Sequence, residues 1–226
     1  MSLCPLPGGL TMSPLVIRPQ VGMGVCSVTR SGIGLTQTVV ERTRWKVNDK
    51  IQIAFIEKAR VILLRSVEEA ESFKLAYMNT RSKTGGRISC LSFIRNYLQT
   101  VVELPKKKLA PVFLPNSEWT LGIPLQTIVW QKEEFSKSGV ASVPSDAVGV
   151  YELLGPGNAV LRVGEGKIRE RINSHLADKR FAPPAVKAFH YLALEDPEDG
   201  KILEKMRIAE YEAETGVLPR FQEIRA

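Results

Sequence analysis

Cysteine and histidine are scarce: the 226-residue chain holds three of the first and two of the second. Cys4, Cys26 and Cys90 are scattered, odd in number and never paired as CxxC, which argues against a zinc ribbon and against a disulfide framework. This usage suggests a reducing cytoplasm. No run of eighteen uncharged apolar residues occurs, so nothing reads as a membrane span and no membrane partner is expected. Residues 1–9 lack the charged start and long apolar core of a secretory signal. The glycine-rich turns match neither GxGxxG nor a P-loop lysine pattern, and no motif indicates an organic cofactor.

The apolar content is ordinary, at 44%, and the length suits one or two globular domains, each with its own core. Charge is unevenly spread. Residues 1–140 hold 19 Lys+Arg and 10 Asp+Glu, a net of +9, whereas residues 141–226 hold 12 and 14, a net of −2. Each phosphate neutralised by a cation releases condensed counterions, so an upstream excess of this size suits a nucleic-acid backbone. The competing reading is a solubility feature.

Residues 1–25, rich in Pro, Gly and Met without a period, read as an irregular arm. From Cys26 the pattern becomes compact: a strand with a glycine turn through Leu35, a short helix over Gln37–Thr43, a turn at Asn48, and a hairpin of Lys50–Ile56 with Ala59–Arg65. A helix is expected over Val67–Met78, followed by a basic loop over Thr80–Arg87. The segment Gly86–Cys90 echoes Ser31–Leu35 and leads into a helical pattern over Leu91–Leu98, then strands over Val101–Pro105 and Ala110–Leu114. Strand, glycine turn, short helix, Asx turn and hairpin in this order resemble the AbrB-like swapped-hairpin DNA-binding family. The resemblance implies a basic, mostly β, barrel-like domain over residues 26–130, whose two halves form an intrachain pseudo-dimer. It implies duplex DNA as partner, with Arg30, Arg42, Arg44, Lys46, Arg81, Lys83 and Arg87 as its contacts, and a homodimer as a further assembly. Residues 131–147 read as a linker.

The last third carries the chemistry. Val148–Leu154 and Ala159–Gly164, joined by a Gly155–Asn158 turn, read as an antiparallel hairpin with Gly149 and Tyr151 on one face. Lys167–Ala177 reads as an amphipathic helix on which Arg171 and His175, four apart, can reach one phosphate; Arg169 is the competitor for that role. Ala185–Leu194 is expected as a third strand. A helix begins near Pro197, ends before Gly216 and carries Glu204, with a closing strand over Leu218–Gln222.

Gly149-Val150-Tyr151, Arg162-Val163-Gly164, Arg171, His175 and Glu204 in this order and spacing resemble the GIY-YIG nuclease family over about residues 145–224. The resemblance implies a small α/β domain at residues 148–226, with a three-stranded antiparallel sheet and flanking helices, so the expected fold class of the chain is α+β. It implies metal-dependent hydrolysis of DNA phosphodiesters, with Tyr151, Arg171, His175 and Glu204 catalytic. Glu204 would hold one Mg²⁺ or Mn²⁺, and Arg162, Gly164, Lys167 and Gln222 would support the site. A guanidinium grips phosphate through directional donors, and a histidine relays protons. A tyrosine near its ordinary pKa of about 10 needs a cation beside it to act on water. Two positions depart from the family: Arg162 stands where tyrosine is usual, and Gln222 where asparagine is usual. Each residue also has a plainer reading. Tyr151 as a core aromatic, Arg171 and His175 as a solvated helix face, and Glu204 as one of eight acidic residues between Glu195 and Glu214 all suit a non-catalytic DNA-binding regulator. A third reading gives the upstream barrel a protein partner.

Overall fold

The computed structural model describes residues 24–68, 72–182 and 185–222. All but the last two residues of the expected arm at 1–25 lie outside that range. The fold is α+β: a large, curled antiparallel sheet and a smaller four-stranded sheet.

The upstream chain builds the large sheet twice over. β1 (Cys26–Thr29), β2 (Gly32–Leu35), α1 (Gln37–Thr43), β3 (Lys50–Ile56) and β4 (Val61–Val67) are the first pass. β5 (Phe73–Asn79), β6 (Thr84–Ser89), α2 (Leu91–Phe93, continued by a wider turn over Ile94–Leu98), β7 (Lys106–Leu109), β8 (Val112–Phe113) and β9 (Leu121–Pro124) repeat the order, with the third strand broken in two. The strands lie in the order β7-β1-β2-β6-β5-β3-β4-β9-β8.

The pairings between the two passes obey a pseudo-two-fold. β2 pairs with its counterpart β6, with Ile33 opposite Ile88 at the centre of the register. β4 pairs with its counterpart β9. The remaining two pairings, β1 with β7 and β3 with β5, exchange under the same rotation. Each pass therefore lends strands to the other. Ile33, Leu35, Ile62, Leu64, Leu75, Ile88, Leu121 and Ile123 fill the interior of the curl.

Three segments differ from the expectation. In one of them the second half of the expected basic loop, Thr84–Arg87, belongs to strand β6 through pairing with β2 and β5. The helix expected over Val67–Met78 is not formed by its described residues: Val67 ends strand β4, Phe73–Asn79 is strand β5, and Leu75 buries between exposed Lys74 and Ala76. The acidic, helix-favouring residues around it mislead, and pairing with β3 and β6 overrides local propensity. Val101–Pro105 is a turn, and the strand starts at Lys106; Pro105 has no N–H to give a ladder.

The smaller sheet follows. β10 (Gln131–Glu134) and α3 (Lys137–Ser142) are succeeded by β11 (Val148–Leu154), β12 (Val160–Lys167), α4 (Ile168–Ala177), β13 (Ala188–Leu194) and α5 (Pro197–Thr215). The order is β10-β13-β11-β12, so the sheet has four strands, not three. Residues 131–147 are accordingly not a bare linker. Gln131–Glu134 pairs with β13, and Ser136 caps α3 by accepting from the Gly139 N–H at 3.1 Å. Polar composition concealed β10 because it is an edge strand facing water on much of its surface.

α5 joins the two sheets. Asp196 caps its start, Pro197 sits in its first turn, and Gly216 closes it in the left-handed conformation at φ 77°. Its Leu203 and Met206 pack on Val150 and Val163 of the small sheet and on Val61 and Leu63 of β4. β4 is buried from Val61 to Leu64 because alternate residues serve two cores, Ile62 and Leu64 inward and Val61 and Leu63 toward α5. Among the described residues, no helix is long and apolar enough to cross a membrane.

Candidate functional site

Strand alternation sorts the small sheet into two faces. Val150 and Glu152 of β11 look toward α5, while Tyr151 and Leu153 look toward α3 and α4. On the α4 face the Tyr151 hydroxyl lies 2.8 Å from His175 Nε2. Both side chains are buried; Tyr151 is wholly inaccessible. The phenol reaches there by crossing its register partner on β12, Gly164, where a Cβ would collide with the ring. At position 164 only glycine leaves room for Tyr151.

Two cations complete the group. Arg162 of β12 is buried, and its Nη1 donates to the Phe221 carbonyl at 2.7 Å. Arg171 of α4 is half-buried. The Nε–H groups of both guanidiniums are buried without an acceptor among the described residues. The competitor, Arg169, is used elsewhere: it donates to the Val143 carbonyl at 3.0 Å and the Ala141 carbonyl at 2.9 Å, tying down the end of α3. Lys167 is the N-cap residue of α4 and pairs with Glu170 at the surface, at 3.0 Å. Gln222 accepts from the Val163 N–H at 3.0 Å through its side chain. The closing segment is a turn rather than a strand. It satisfies the free edge of β12 with the Gln222 amide and one backbone bond, Phe221 N–H to Leu161 C=O at 2.8 Å.

The electrostatics follow from burial and the two guanidiniums. Burial pushes the Tyr151 phenol above its usual 10, and Arg171 and Arg162 oppose that rise without cancelling it. Burial also drives His175 down to about 4, helped by Arg162 and Arg171. At neutral pH a protonated phenol therefore faces a neutral imidazole, which can accept the phenol's proton in a hydrogen bond at Nε2. Phe181 caps the imidazole edge-on, with centroids 4.6 Å apart, and Phe221 packs edge-on against Phe181.

No family model matches this chain, and no curated protein or solved structure matches it. Its chemistry is read from the residues alone.

Glu204 is not part of the group. It lies on α5, half-buried, in the layer across the sheet from Tyr151. Around Tyr151 stand two guanidiniums, a phenol and an imidazole; the carboxylate that acts on His175, Asp178, is itself paired with Arg180 at 2.8 Å. Among the described residues no cluster of three His, Cys, Asp or Glu could hold a metal ion. The side chains at Tyr151 fit an anion rather than a divalent cation.

A second polar group, absent from the sequence reading, lies on the α5 face. Arg207 Nε donates to Glu152 Oε1 at 2.9 Å and Nη1 donates to Glu210, with all three side chains buried. His190 Nδ1 approaches the other Glu152 oxygen at 3.5 Å. Burial alone would raise Glu152; Arg207 and His190 outweigh it and hold the carboxyl below its usual range. Glu210 has only one guanidinium contact, and burial wins there, raising it. The signal in the sequence was Glu152 itself, an acid inside an apolar strand on the phase opposite Tyr151.

Upstream, Arg30, Arg42, Arg44, Lys46, Arg81, Lys83 and Arg87 are all exposed. Arg30 sits in the β1–β2 turn, and Arg81 and Lys83 in its pseudo-symmetric counterpart, the β5–β6 turn. Because β2 and β6 run antiparallel, these two basic turns lie at opposite ends of the central pair. Arg87, on β6, donates to Ser31 Oγ at 3.3 Å beside the first turn. Arg42 stacks its guanidinium 4.2 Å over the Phe113 ring.

Proposed function

We propose that this protein binds duplex DNA through the pseudo-two-fold β unit and hydrolyses a phosphodiester at the group formed by Tyr151, His175, Arg162 and Arg171. The observation carrying this reading is the pair of buried guanidinium Nε–H donors left without acceptors among the described residues, beside the Tyr151–His175 hydrogen bond. A buried donor without a partner costs about 1–3 kcal/mol, more when charged, and a phosphate offers the oxygens that would satisfy both. With a phosphate seated, the arginines neutralise its non-bridging oxygens. Tyr151 orients water and neutral His175 takes its proton as the water oxygen bonds phosphorus; the P–O bond to the leaving sugar oxygen breaks, and His175 returns the proton to that oxygen. The basic turns at Arg30 and at Arg81 and Lys83, related by the pseudo-two-fold, suit the two strands of a duplex.

The full burial of Tyr151 and the position of Glu204 favour a second reading, a DNA-binding regulator whose nuclease-like unit holds phosphate without cutting it. Nicking of supercoiled plasmid, with and without Mg²⁺ or Mn²⁺, separates the two. On the first reading, Arg171→Ala and His175→Ala each reduce nicking by roughly 10²-fold or more while salt-sensitive DNA binding persists. Nicking abolished by Glu204→Ala would restore the metal glutamate. Salt-sensitive binding with no nicking in any metal would leave the regulator.

A further inference from the structure

A cavity of about 490 Å³ opens between β8 and α5, on the side of α5 away from the Tyr151 group. That volume lies in the range of small-molecule sites, which are mostly apolar with a few placed polar groups. Val112, Phe113 and Leu114 form one wall; Ala209 and Ala213 of α5 form the other. The small alanines leave the space open. Glu210 also lines the cavity.

Glu210 is the informative residue. One of its oxygens accepts from Arg207, while the other, Oε1, is buried and has no hydrogen-bond partner. Glu152 and Glu210 share the single guanidinium of Arg207, two carboxyls to one cation within the trio. Two further acids, Glu212 and Glu214, line the cavity and are exposed, adding negative potential at its mouth. A buried, half-satisfied carboxylate beside an apolar space calls for a donor, preferably cationic. Arg42 at the far wall is engaged with the face of Phe113 and closes that side.

We propose that this cavity is a binding site for a small organic amine, whose ammonium is held by the acidic wall of Glu210, Glu212 and Glu214 while its apolar body packs against Val112, Phe113 and Leu114. The bound cation completes the charge balance of the Glu152–Arg207–Glu210 trio. It also bridges α5 to the large sheet. The site is separate from the Tyr151 group, which lies across the small sheet.

The test uses 2-phenylethylamine and its uncharged counterpart, 2-phenylethanol, in calorimetric titrations of the full chain at neutral pH. The amine is expected to bind one to one, at least about 10-fold tighter than the alcohol, a difference of about 1.4 kcal/mol. Glu210→Gln removes that preference. Because Glu210→Gln disturbs the contact with Arg207, Ala213→Phe provides the second variant. Ala213 is exposed on α5, so a ring there fills the cavity without entering the core, and amine binding is lost while the urea midpoint is kept. Equal binding of amine and alcohol overturns the proposal, as does amine binding that survives Ala213→Phe. No saturable heat from either probe overturns it as well.

Discussion

At the scale of single residues, His175 shows how the surroundings reset an ordinary side chain. Its imidazole titrates at about 4 in the folded protein against an ordinary 6.5, because it is buried and faces Arg162 and Arg171. Between those values the unfolded chain holds a proton that the folded chain refuses. The stability it contributes is complete above about pH 6.5 and is lost as pH falls toward about 4. Asp199 runs the other way: burial and Asp196 raise it to about 6, so its contribution favours low pH and fades as pH rises through that value. The two overlap, and a variant is needed to separate them. Urea unfolding at stepped pH should show the wild type losing stability below pH 6.5 more steeply than His175→Gln. Parallel curves would mean that His175 titrates normally. The pairing of Arg171 with His175 was legible from spacing on one helix. The depressed His175 was not, because it needs Arg162 from a strand and Phe181 from the turn beyond α4.

At the scale of elements, α5 is defined by its ends and by what it buries. Asp196, Pro197 and Gly216 mark its limits in the sequence, and the helix keeps to them. Its face toward β11 is another matter. Arg207 and Glu210, one turn apart, look like surface charges in an acidic stretch, yet both are buried, Arg207 bridging Glu210 to Glu152. Removing one member strands charge: Arg207→Met should cost about 3–5 kcal/mol in urea unfolding. Replacing all three, as Glu152→Leu, Arg207→Met and Glu210→Leu, should recover most of that loss, since an apolar trio needs no partners. A triple variant no more stable than Arg207→Met would show that the trio matters for more than charge balance. Elements misread from the sequence share a cause. β5 and β10 exist through pairing with distant strands, and their composition alone favours helix or loop.

At the scale of the whole molecule, the two sheets are not independent. Gly122 of β9 lies under Met206 of α5, so close that a Cβ would meet its sulfur at 2.8 Å. Val61 and Leu63 of β4, Leu114 and Trp119 share one apolar cluster with Val150, Val163, Leu203 and Met206. Calorimetry of the wild type should therefore give a single cooperative transition, with equal calorimetric and van't Hoff enthalpies. Gly122→Leu should overpack this contact, costing about 1–3 kcal/mol, and broaden or split the transition. Two well-separated transitions in the wild type would mean that the shared cluster does not couple the sheets.

Local chemistry alone determined a good deal. The alternation of Lys50–Ile56 and Val148–Leu154, the caps of α5, the short α1 and the charge excess upstream all follow from near neighbours, and the structure keeps these elements. The resemblance to a nuclease family pointed to Tyr151, Arg171 and His175, and helical spacing put the last two on one face. Tertiary structure decided the rest, because those properties depend on residues far apart in the chain. The pseudo-two-fold exchange of strands, the fourth strand β10, the placing of Glu204 across the sheet from Tyr151 and the buried Glu152–Arg207–Glu210 trio arise only when sheet faces are assigned. A strand's two faces are equivalent in its own sequence until packing chooses which one meets α4 and which meets α5.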